Sequence, residues 1–257
     1  MFFETKINRF KVDRKIEPTR VENDFDLIDN YKREILKNIF TKIEICPTNK
    51  FDIFIQSRVQ MFLSQTLLRS LFLKDEMVCC LNSNNFPAFY AIAKSFLEIP
   101  AQLGYLNWVI CEDKTDEEIQ KELNKLVFAH KGGLTEIKGR DPINIMTMFD
   151  KLDIMFKRID SSKQNFKKPL RTLYEDVCNF GHPNFMAHLP VGKISEDGYW
   201  IAKDPKKLES YKYELYDGFY MHYLTIAINV IHLMISMLNR HPKINNFNKI
   251  NSPQLDI

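Results

Sequence analysis

Glycine is scarce in this chain: 8 of 257 residues, about 3% against a usual level of about 7%. Few glycines leave few positions for positive φ, so tight hairpins are few. That argues against a β-sandwich and against a glycine-rich nucleotide fold. No GxxxxGK(S/T), GxGxxG or GxSxG pattern occurs, which excludes the P-loop, Rossmann and α/β-hydrolase signatures. Cysteines number five, at Cys46, Cys79, Cys80, Cys111 and Cys178, with no CxxC spacing. An odd count without that spacing fits reduced thiols and a cytoplasmic location better than a disulfide framework. Net charge is only +3, too weak to point to nucleic acid by itself. The opening Met1–Lys6 has no apolar run, so no secretory signal is expected. HExxH is absent, and neither His182/His188 nor His222/His232 has a metal-ligand spacing. No metal and no cofactor are expected.

What is present is apolar material at helical spacing. Apolar residues make up 45% of the chain and charged residues 27%, enough for a sizeable core. Phe25, Ile28, Tyr31, Ile35, Ile39 and Ile43 recur at three and four, which predicts a helix capped by Asn23 or Asp24. Further helices are expected over about 51–73 and 86–110. Pro100 should kink or break the second of these near Ile99. Thr115–Glu118 is a capping box, opening a helix that Gly132–Gly133 should end. Asp141–Pro142 and Pro169 should start two more, ending near Ile159 and at Gly181. A last long helix is expected over about 207–239. Asp197–Gly198 between apolar residues predicts a short hairpin. The expected fold is therefore mainly α: a helical bundle of about seven helices with a small β-hairpin insertion near 190–203. Residues 1–22 read as an N-terminal arm, 23–240 as a single bundle domain, and 241–257 as a flexible tail.

Phe219 to Leu238 carries no formal charge over 20 residues, long enough to span a bilayer. Yet His222, Thr225, Asn229, His232 and Ser236 fall at intervals of three and four, forming one polar stripe. Lipid would leave that stripe unpaired, so a core helix is expected, with the stripe at its edge or facing a polar pocket and no membrane partner.

Three features carry candidate chemistry. Gly181 and Pro183 fix a helix end with His182 between them, and Asn184 follows. This corner reads either as a structural stop or as a bend presenting His182 as a general acid–base or binding group. Tyr174 and Cys178 share a face of the preceding helix. Lys94 and Glu98 are four apart among apolar neighbours. They read either as a structural ion pair or as a pocket wall. Residues 151–171 hold seven basic and two acidic side chains, a solvated surface or a phosphate-contacting patch beside His182.

Two segments together resemble poorly characterised bacterial helical proteins related to the HEPN superfamily. One is Ala91-Ile92-Ala93-Lys94-Ser95-Phe96-Leu97-Glu98 with Leu103-Gly104-Tyr105-Leu106. The other is Tyr174-x-x-x-Cys178-Asn179-x-x-His182-Pro183-Asn184, ahead of a long final helix. The resemblance spans roughly residues 50–240. It implies a helical module, commonly dimeric, of a defence or toxin–antitoxin system that works through RNA, a partner protein or a small ligand. The implied binding residues are Lys94, Glu98, Tyr174, Asn184, His222 and Asn229. An RNA-cleaving alternative would use His182 with Arg171 or Lys94 and no metal. The chain departs from the family pattern of Arg followed by His four to six residues later. Arg171 and His182 are eleven apart, about 16 Å along a helix, too far to grip one phosphate within one chain.

Overall fold

The computed structural model describes residues 5–8, 18–41, 43, 51–83, 85–128, 142–159, 169–181, 192–202, 220–241 and 244. Seven helices lie among them: α1 (Pro18–Leu36), α2 (Phe51–Asn82), α3 (Phe86–Cys111), α4 (Asp116–Phe128), α5 (Ile145–Ile159), α6 (Pro169–Gly181) and α7 (Tyr220–Arg240). The mainly α reading holds. Residues 192–194 and 200–202 pair antiparallel over three residues each, around a turn where Gly198 has φ +82°. That contact adds no layer, and Tyr199 beside it is exposed. The β-hairpin insertion expected near 190–203 is not supported as an architectural element: the pairing spans three residues a side, and Ile201 on it is exposed.

Helix boundaries show where local signals won and lost. α1 begins at Pro18, ahead of Asn23 and Asp24, because proline at the first helical position loses no bond. α2 runs nine residues past Leu73, through the charged Lys74-Asp75-Glu76. It continues because the Lys74 side chain is buried and its ammonium meets the Asp75 carboxylate at 3.1 Å. α3 is unbroken at Pro100. Phe96, Leu97, Ile99, Ala101 and Leu103 around it are fully buried, and that packing outweighs the cost of about 3 kcal/mol for an interior proline. α4 opens on the expected capping box: Glu118 N–H donates to Thr115 Oγ1, and Thr115 N–H donates to Glu118 Oε2 at 2.9 Å. α5 starts at Ile145, not Pro142. Asn144 provides the cap, its Oδ1 accepting from Met146 N–H at 2.8 Å. The Gly132–Gly133 helix end and the first part of the last expected helix, 207–219, lie outside the described residues.

The chain divides into two compact units. The first comprises 1–33, 70–98 and 169–229; the second comprises 34–69, 99–168 and 230–257. In the first, Phe25, Ile28 and Tyr31 of α1 are buried, with Phe89, Phe96 and Leu97 of α3, Val177 of α6 and Leu224 of α7. Tyr31 stands edge-on to Phe96 and donates its hydroxyl to Ser70 Oγ at 2.7 Å. Residues 5–8 are held here by side chains. Lys74 Nζ donates to the Thr5 carbonyl, Ile7 N–H donates to Asp29 Oδ1, and Asn82 bonds both Asn8 N–H and the Lys6 carbonyl.

In the second unit, Leu63 and Leu67 of α2 are buried, with Leu103 and Leu106 of α3, Ile119 of α4, Phe149 and Leu152 of α5, and Ile231 of α7. Gly104 is required there. A Cβ at that position would lie 2.5 Å from Leu152 Cδ1 and 3.0 Å from Leu152 Cα. Asn107, fully buried, donates to the Met234 carbonyl at 3.1 Å, tying α3 to α7. One helical window among the described residues, Tyr223–Arg240, is long and apolar enough to cross a membrane, and 56% of it is buried within the protein.

Candidate functional site

The corner expected to carry chemistry is described only in part. His182 and Asn184, and the His222 side chain, lie outside the described residues. The structure does bring Tyr174 and Glu98 together: the Tyr174 hydroxyl donates to Glu98 Oε1 at 3.2 Å. Burial first, then the Glu98 carboxylate and the nearby Cys178 thiol, push the Tyr174 phenol well above its ordinary value. Tyr174 and Cys178 thus do share a face.

No Lys94–Glu98 ion pair is seen among the described residues. Both side chains are half-buried, and Glu98 is engaged by Tyr174 instead. Arg171 is held by its own helix, its Nε 3.0 Å from Glu175 Oε1. Asn229 is exposed, and the His182 corner whose pocket it was expected to share lies outside the described residues.

A groove that the sequence did not single out lies in the second unit. It has a volume of about 320 Å³ and is lined by Glu34 of α1, by Asn38 in the turn that follows it, and by His232, Ile235, Ser236, Asn239 and Arg240 from α7. Helical spacing builds it. Glu34 and Asn38 are one turn apart, and His232, Ser236 and Arg240 repeat every four residues over about 12 Å. The two amides are fixed: Asn239 Nδ2 donates to Asn38 Oδ1 at 3.2 Å, and Asn38 Nδ2 donates to the Glu34 carbonyl at 3.1 Å. Burial pushes the His232 imidazole below its ordinary range, against the pull of the Glu34 carboxylate, so it is neutral at neutral pH. Half of this site was visible beforehand. His232 and Ser236 belong to the polar stripe expected to face a pocket, but nothing local marks Glu34 and Asn38 as their partners.

A second polar cluster surrounds Trp108 on α3. The Lys114 ammonium lies 3.2 Å and the Lys151 ammonium 4.0 Å from the ring centroid. Tyr105 donates to Glu122 Oε2 at 2.7 Å, and Lys125 donates to Glu122 Oε1 at 2.8 Å. Burial alone would raise the Glu122 carboxyl; those two bonds and the nearby ammonium groups bring it below its usual range. Burial pushes the Lys114 amine down, although Glu122 and Glu112 oppose the shift. Arg158 closes the cluster with a hydrogen-bonded ion pair to Glu112. Glu122 is paired with Lys125 and Glu112 with Arg158, while the buried Lys114 ammonium rests on the Trp108 ring and makes no hydrogen bond. Among the described residues, no group of three or more His, Cys, Asp or Glu side chains could hold a metal ion.

Compared with known proteins, the chain matches no family model, no curated protein sequence and no solved structure.

Proposed function

We propose that the chain is a HEPN-like, cytoplasmic helical module of a bacterial defence or toxin–antitoxin system, working by binding rather than by cutting RNA. The observation carrying this reading is the state of Arg171. A cation that stabilises a cleaving phosphate must be available to it, and this guanidinium is already matched by Glu175. The neighbouring helix adds a carboxylate, Glu98, bonded to Tyr174, which raises the cost of bringing a phosphate to this face.

The test is incubation of the purified chain with total RNA in EDTA. Intact RNA is expected. Cleavage that disappears in His182→Ala, in a variant that keeps its melting temperature, would replace this reading with that of a metal-independent ribonuclease. Assembly as a homodimer belongs to the same proposal, supported by the exposed apolar side chains Phe72 and Ile159. Light scattering at micromolar concentration checks it, and a mass of one chain would refute it.

A further inference from the structure

The groove between α1 and α7 has its own chemistry, independent of the reading above. Its volume, about 320 Å³, sits at the lower end of the range for small-molecule sites. Its lining places charges of both signs around one cavity: the Glu34 carboxylate and the Arg240 guanidinium. Between them stand a hydroxyl (Ser236), an amide pair already locked in orientation and the side chain of Ile235. A polyphosphate would meet one guanidinium and a repelling carboxylate, a simple cation would meet Arg240, and a simple anion would meet Glu34. The lining matches a solute that carries both charges.

We propose that this groove binds a free α-amino acid, with the ligand's ammonium on Glu34 and its carboxylate on Arg240. Guanidinium and carboxylate pair in bidentate fashion, which fixes one end of the ligand. Glu34 is now bridged to Lys37 at 2.8 Å. That is a surface pair of small worth, and an incoming ammonium competes with Lys37 for the carboxylate. The neutral His232 ring adds hydrogen-bonding capacity without a third charge. Ile235 supplies apolar surface for the ligand's side chain.

The experiment is thermal melting and calorimetry on the full chain. Each of the common amino acids is added at about 10 mM, enough to saturate a millimolar site. Acetate and methylammonium serve as half-ligands. At least one amino acid is expected to raise the melting temperature and give a binding isotherm, while neither half-ligand does. Arg240→Gln, at an exposed position, should leave the unliganded melting temperature unchanged and weaken binding about tenfold or more. Glu34→Gln should weaken it similarly; if that variant melts early, Arg240→Gln alone decides. Failure of every amino acid to bind, unchanged affinity in Arg240→Gln, or acetate binding as tightly as any amino acid would each overturn the proposal.

Discussion

Three tyrosines are set apart from the rest by their surroundings. Tyr31, Tyr105 and Tyr174 are buried, and burial pushes each phenol above its ordinary value; at Tyr105 and Tyr174 a neighbouring carboxylate adds to it. The sign of the linkage follows. A phenol raised in the folded state stabilises that state fully below the unfolded value near 10, and the contribution is lost as pH climbs toward the folded value. At least three of the ten tyrosines should therefore stay protonated in the folded chain at pH 11 and ionise only on unfolding. Ultraviolet titration of native and denatured protein checks this; native tyrosines all titrating near pH 10 would contradict it. Tyr174→Phe removes the donor to Glu98 and leaves a half-buried carboxylate short of a bond, at a cost of about 1 kcal/mol. Glu98→Ala and the double variant complete a cycle in urea denaturation. A coupling of zero would show that the 3.2 Å bond contributes nothing.

Helix packing decides more than helix propensity. Replacing Gly104 with alanine gains about 1 kcal/mol of helix propensity. The new methyl, however, meets the Leu152 backbone as well as its side chain, and backbone cannot step aside by changing rotamer. Overpacking costs about 1–3 kcal/mol, so Gly104→Ala should lower the melting temperature, whereas alanine at an exposed helical position would not. Thr115→Ala should cost about 1 kcal/mol through the lost cap, read by the same melt. The cap at Thr115 was legible because both partners sit within one turn of sequence. The start of α5 was misplaced because Pro142 and Asn144 both signal a helix start, and only the bond to Met146 N–H chooses between them. The turn at Asp197–Gly198 was legible too, because Gly198 supplies the positive φ it needs. The groove was legible only on its α7 side, where His232 and Ser236 belong to the polar stripe. Glu34 and His232 stand about 200 residues apart, and periodicity describes each helix without saying which faces meet.

At the scale of the whole chain, residues 5–8, ahead of the first helix, are part of the fold. Ile7 is 4% exposed, and the fully buried Lys74 ammonium relies on the Thr5 carbonyl at 3.2 Å as well as on Asp75. Deleting residues 1–8 should cost about 2–4 kcal/mol: a lost charged hydrogen bond and lost apolar burial, less the entropy that the freed segment no longer forfeits. Chemical denaturation of the shortened chain measures it, and an unchanged midpoint would show that the segment is dispensable. The Trp108 cluster has a consequence of another kind. The chain has only two tryptophans, and one of them lies beside two ammonium groups. Charge next to an indole shifts the colour and yield of its emission, so the chain carries its own optical gauge of how α3, α4 and α5 meet. Its signal should move in mild alkali as Lys114 loses its proton, ahead of ordinary lysines, with no dye attached and no residue changed.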